Sequence, residues 1–185
     1  MNEAPYRAAP KQPVLYIKPA NTWSGNGASI SVPAGAPQLE IGATIAMVMK
    51  APGEVRGYRL MNDLSLPHAS FFRPPVRFKC LDGFLGIGDT LLPAGPDVDP
   101  STFVLEVRIN GELKQTVRFS ELLRDARKLL DDVSGFMTLG AGDALMLGCD
   151  VLNEGGRPLA KVGDVIEISS TGLGTLTNTL VAESV

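Results

Sequence analysis

A chain of 185 residues, 44% hydrophobic and 20% charged, can bury a full apolar core in one domain, which excludes disorder as its main state. Seventeen basic against twenty acidic residues give a net charge of -3, so the basic surplus of a nucleic-acid binder is missing, and one His excludes a His-rich zinc site. Two cysteines, Cys80 and Cys149, cannot build a disulfide framework and fit a reducing cytoplasm, and no apolar run nears the ~20 residues of a membrane span.

Residues 1–13 are rich in Pro and Ala and predict an extended N-terminal arm, because Pro5, Pro10 and Pro13 each disfavour helix in the residue before them. The opening lacks the charged-then-apolar pattern of a signal peptide. Residues 14–185 show no internal repeat and no linker, which predicts a single domain. Val14 to Ile17 is a short β-type run stopped by Lys18-Pro19. A turn-rich loop follows from Asn21 to Gly27, and Ile30 to Val32 predicts an edge strand. From Gln38 to Met49 the string QLEIGATIAMVM is nearly all apolar after Glu40, which predicts one central strand covered on both faces. Gly42 in its middle marks a bulge or a close approach. Gly57 to Asp63 predicts another strand, followed by a long loop with Pro67, Pro74 and Pro75.

Phe103 to Ile109 and Glu112 to Phe119 flank Asn110-Gly111, the strongest short hairpin signal. Ser120 to Ser134 predicts the one main helix, with Ser120 as N-cap and Gly135 as its stop. Leu122, Leu123, Ala126, Leu129, Leu130 and Val133 line one face of it. Asp143 to Gly148 and Asp164 to Ser169 predict further strands, and Met47, Met49, Met137 and Met146 read as core. The pattern is α+β, mostly β, with one main helix.

Seven strings occur together and in order: YIKPANT from Tyr16, GYRLMNDLS from Gly57, FFRPP from Phe71, FKCLDGF from Phe78, INGELKQ from Ile109, SGFMTLGAGD from Ser134 and KVGDVIEISSTGLGTLTN from Lys161. The series resembles the fumarylacetoacetate hydrolase superfamily over about the whole chain. Within it, PYRAAPKQPVLYIKPANT and GATIAMVMK are similar to the N-terminal halves, or separate subunits, of the isomerase/decarboxylases of homoprotocatechuate (4-hydroxyphenylacetate) breakdown. The resemblance implies a mixed β-roll with a helix packed on it. It also implies Mg²⁺ or Mn²⁺ held by three carboxylates, chelating a 2-oxo acid and stabilising an enolate.

In active members two carboxylates stand as E-x-E on one strand and the third follows in the N-D pair of the next. The matching positions here are Gly42 and Thr44, while Asp63 keeps the third. Glu40 shares the face of Gly42 and is the substitute ligand on offer. The family's His–Glu proton-shuttling pair has no counterpart upstream of Lys18. His68 is therefore the acid–base candidate, with a solvent-exposed loop residue as the alternative. Gly148-Cys149-Asp150 replaces the family's G-T-P, and Cys149 reads as a packed thiol. The resemblance places Lys18, Arg73, Lys79 and Gln115 near the substrate, where cations suit a dicarboxylate or tricarboxylate; surface charges and a hairpin-side polar residue are the alternatives.

Two readings follow. One is a cytoplasmic subunit that decarboxylates an oxo-pentene-tricarboxylate and isomerises the resulting hydroxy-hepta-diene-dioate, dependent on a homologous metal-bearing partner or on self-association as a dimer. The other is a non-catalytic structural or metabolite-binding member of the same fold, with no ion of its own. An acylpyruvate-type hydrolase ranks behind both, because hydrolysis needs an activated water and the shuttling pair is absent.

Overall fold

The computed structural model describes residues 12–68 and 75–183. Most of the predicted arm, and Arg73, lie outside the described residues. The strands, in chain order, are β1 (Trp23–Gly25), β2 (Ser29–Val32), β3 (Leu39–Glu40), β4 (Ala43–Ala51), β5 (Glu54–Asp63), β6 (Leu85–Ile87) and β7 (Leu92–Pro93). They continue with β8 (Val104–Ile109), β9 (Glu112–Arg118), β10 (Ala144–Met146), β11 (Leu159–Ala160), β12 (Val165–Ser170) and β13 (Gly174–Ala182). The helices are α1 (Val76–Lys79) and α2 (Ala126–Ser134). No helix of the described residues is long and apolar enough to cross a membrane.

One sheet runs β1-β6-β5-β4-β10, with β7 also paired to β5; a second runs β2-β13-β12-β8-β9; β3 and β11 form a two-stranded ribbon. Both large sheets mix parallel and antiparallel pairs, since β1 is parallel to β6 and β2 to β13. The side chains of Ile45 and Leu60 from the first sheet, Leu105 and Ile168 from the second, and Leu130 and Val133 from α2 belong to one hydrophobic cluster. Tyr58 and Phe103 meet edge to face across the seam, their centroids 5.5 Å apart. A smaller cluster of Ala46, Met61 and Leu85 forms on the other face of the first sheet. The predicted α+β, mostly β architecture is thus what the chain adopts.

Several local expectations change. The run Gln38 to Met49 is not one strand: β3 pairs with β11, the chain breaks at Ile41-Gly42, and β4 then pairs with β5. Val14 to Ile17 is not a strand; Val14, Leu15 and Ile17 are exposed while Tyr16 and Lys18 turn inward to polar partners. Asn21 to Gly27 is partly ordered as a 3-10 turn followed by β1. The helix begins at Ala126 rather than Ser120, because the Asp125 side chain accepts from the Lys128 N–H at 2.7 Å and caps it there, while Phe119–Glu121 forms a 3-10 turn. Met47 and Met49 are core, but Met137 is exposed. The β8–β9 hairpin is as predicted, with Asn110 at φ 52° and Gly111 at φ 80°, both positive as a type I′ turn requires.

Candidate functional site

Side chains alternate along β5, so Leu60 and Asn62 face one way, Met61 and Asp63 the other. Asn62 points to the seam between the sheets, where its amide donates to Asn178 at 3.3 Å. Asp63, the last residue of β5, is fully buried on the opposite face. Its backbone is fixed by donation to the Gly42 carbonyl at 2.8 Å.

Four segments bring polar groups to this one carboxylate. From the N-terminal side, Lys18 Nζ stands 3.0 Å from Oδ1 and donates to the carbonyls of Leu64 at 2.9 Å and Phe84 at 2.7 Å. The hydroxyl of Tyr16, two residues earlier and on the same side of an extended chain, donates to Oδ2. From the last turn of α1, Lys79 Nζ lies 3.0 Å from Oδ2 and 4.8 Å from the centre of the Tyr16 ring. From the loop before β11, Arg157 Nη1 stands 3.5 Å from Oδ2 and from the Asp63 carbonyl. The Cys149 thiol, after β10, is 3.9 Å from Oδ2.

Burial and charge together set the protonation states. Burial alone would raise the Asp63 carboxyl, but Lys79, Lys18 and Arg157, with the Tyr16 hydroxyl, outweigh it and hold the group down at about 2. Burial, then the neighbouring Asp63 charge, pushes the Tyr16 phenol far above its ordinary value, so it remains a donor. Burial likewise pushes the Cys149 thiol up and pulls the Lys18 ammonium down, the latter opposed by Asp63. Burial acts against the Arg157 charge, but Cys149, Asp63, Tyr16 and Glu40 raise it on balance, so the guanidinium stays charged.

A divalent cation does not fit this donor set. Magnesium asks for six oxygen donors in near-octahedral array. Among the described residues no three His, Cys, Asp or Glu side chains come together to surround an ion. The Asp63 oxygens instead face three cations. At position 42 a Cβ would collide with the Asp63 carbonyl oxygen and come within 3.0 Å of Arg157 Nη1, so the guanidinium lies beside the space a carboxylate there would need. Gly42 is thus the close-approach point expected of it. Thr44, buried, donates its hydroxyl to the Gly148 carbonyl at 2.6 Å. Glu40 pairs with Leu159 in the β3–β11 ribbon, its backbone bridges Ser65, and its charge acts on Arg157.

Of the predicted site residues, Asp63, Lys18 and Lys79 are brought together. Gln115 is buried on β9 opposite Val107, in the other sheet, and is not among the partners of Asp63. His68 stacks flat on Phe78 with centroids 4.6 Å apart, and its Nδ1 lies 2.9 Å from the Leu66 carbonyl and 3.5 Å from Ser65 Oγ. Tyr16 and Arg157 are the members sequence reasoning missed. Cys149, read as a packed thiol, lies in space among the charges of Arg157, Asp63, Lys79 and Lys18.

The comparisons with known proteins agree with this architecture. The family model described as fumarylacetoacetate (FAA) hydrolase C-terminal matches residues 1–181, and the chain belongs to that family. It is 39% identical over 195 residues to the 4-hydroxyphenylacetate degradation bifunctional isomerase/decarboxylase of Escherichia coli, covering 98% of this chain and 42% of that relative. The chain therefore spans less than half the length of such curated relatives. Among solved structures, a 5-carboxymethyl-2-hydroxymuconate delta-isomerase from Mycobacterium smegmatis is similar with a TM-score of 0.83 and 29% identity, over all of this chain and 75% of the other. A 2-hydroxyhepta-2,4-diene-1,7-dioate isomerase from Mycobacterium marinum gives 0.82 and 28%, over 96% and 72%.

Proposed function

We propose that this chain is one unit of a 4-hydroxyphenylacetate-pathway isomerase/decarboxylase, and that turnover requires a homologous unit bearing the metal. Its substrates would be an oxo-pentene-tricarboxylate and a hydroxy-hepta-diene-dioate. The 39% identity to a bifunctional enzyme of that pathway and the likeness to two diene-dioate and muconate isomerases support the substrate class.

The observation that carries the partner requirement is the state of Asp63. Its carboxylate is ionised, enclosed by three cations and held at about 2, too weak a base to take a proton from carbon near neutral pH. Tyr16 and Cys149 keep their protons, so neither supplies a base. What the centre does supply is positive charge on Lys79 and Arg157, suited to attracting and orienting a carboxylate while the bond rearrangement proceeds elsewhere.

The test is reconstitution. Purified chain with Mg²⁺ and hydroxy-hepta-diene-dioate is expected to show no turnover, and addition of a homologue carrying the complete E-x-E and N-D set is expected to restore it, with both co-eluting on gel filtration. Full turnover by the chain alone overturns the reading. The second reading, a metabolite-binding member without catalysis, is favoured by the same cations. It predicts binding of the dioate with no rate gain when the partner is added.

A further inference from the structure

Among the described residues the Asp63 centre holds more positive than negative charge. Lys18, Lys79 and Arg157 all stand within 4 Å of one carboxylate, and Glu40, acting on Arg157 from farther off, offsets only part of the excess. Buried excess charge is costly unless something answers it. Lys18 is committed, with two carbonyls and Oδ1 around its ammonium. Among the described residues Lys79 has one hydrogen-bond acceptor, Oδ2, and the Tyr16 ring beside it. Arg157 touches Asp63 only at 3.5 Å, long for a charge-assisted bond, through one nitrogen of a group with five N–H donors.

Access differs in the same sense. The Asp63 side chain has no exposure, Lys18 has 2%, Lys79 has 7% and Arg157 has 18%. Among these four side chains that of Arg157 is the most exposed. Beside Cys149, Gly148 is exposed, and nothing lies within 4 Å of where its Cβ would be.

We propose that Arg157 and Lys79 bind a carboxylate of a small 2-oxo or dicarboxylic acid directly, with the Arg157 guanidinium supplying the positive charge that a bound cation would otherwise bring. The proposal rests on the Asp63 centre being the functional site and deepens that reading by naming an ion-free mode of ligand capture. No covalent step is involved. A planar guanidinium can grip a carboxylate through two parallel N–H bonds, which a magnesium ion or an ammonium does not provide. Gly42 is part of the device, because a Cβ there would collide with the Asp63 carbonyl and crowd Arg157 Nη1 at 3.0 Å.

The experiment is calorimetric titration of the purified chain with oxalate, a planar dianion, in EDTA and then in Mg²⁺. Oxalate is expected to bind in EDTA with an affinity unchanged by Mg²⁺. Arg157→Gln is expected to weaken it by about ten- to a hundredfold, and Arg157→Lys, which keeps the charge and loses the fork, by a smaller factor. Thermal melts establish that each variant is folded, and Arg157→Lys carries the test if Arg157→Gln is not. Binding that appears only with Mg²⁺, binding that neither variant weakens, or no binding in EDTA up to about 10 mM oxalate overturns the proposal. So does tight Mn²⁺ binding, seen by electron paramagnetic resonance, that Asp63→Asn abolishes. The titration involves neither partner nor turnover, so it fails or succeeds independently of the reconstitution assay.

Discussion

The two faces of β5 meet the problem of buried polarity in opposite ways. On the inner face Asn62 is fully buried and paired with another neutral amide, Asn178, across the sheet seam. On the outer face, one residue later, Asp63 is equally buried but ringed by Tyr16, Lys18, Lys79 and Arg157. The neutral pair ties one sheet to the other, although Asn62 Oδ1 has no hydrogen-bond partner among the described residues. The charged residue draws long side chains from three distant parts of the chain. The first arrangement specifies a fold, while the second concentrates charge around one buried carboxylate.

The sharpest way to break the comparison is to remove the outer carboxylate. Asp63→Ala leaves three cations facing one another and is expected to cost about 3–5 kcal/mol in urea denaturation. On the inner face, Leu60→Ala removes a fully buried side chain and is expected to cost about 2–5 kcal/mol, with no effect on anion binding. If Asp63→Ala proved as stable as the parent, the outer face would not be held together by charge.

Acid sharpens the contrast further. The Asp63 carboxyl lies at about 2 in the folded chain, below its ordinary 3.8. A depressed carboxyl stabilises the fold above its unfolded value and loses that contribution as the pH falls through its folded value. A contribution of about 2 kcal/mol is therefore expected to be complete above pH ~4 and to fade toward pH ~2. Melting curves of the parent should fall across that window, and those of Asp63→Asn should fall less steeply.

The inner face was the more legible of the two in sequence. Alternation and Asn110-Gly111 marked the hairpin, and the apolar run marked β4, since burial and turn geometry are local in their demands. The break at Ile41-Gly42 escaped because a continuous apolar string does not show which sheet each part joins. β13 escaped because its alternating Thr and Leu stand in a Gly- and Thr-rich stretch that reads as turns. On the outer face Asp63, Lys18 and Lys79 were legible only through family strings. Arg157 lies 94 residues from Asp63, in a glycine-rich turn without a motif. The one local signal for its presence was the glycine at position 42. Tyr16 shared the alternation of Lys18 and could have been inferred from it.

The smallest expected effect separates architecture from chemistry on that outer face. Thr44 stands where the family resemblance implies a ligand, yet its hydroxyl donates to the Gly148 carbonyl at 2.6 Å and to nothing at Asp63. Thr44→Val keeps the shape and removes one hydrogen bond, so it is expected to cost about 0.5–1.5 kcal/mol. Because Gly148 is exposed, water can take up the freed carbonyl, which puts the value at the lower end. Oxalate affinity should stay unchanged, since Lys79 and Arg157 keep their positions. A loss of affinity matching that of the Arg157 variants would instead place Thr44 inside the anion site and make the β10 end of the sheet, through Gly148, part of its wall.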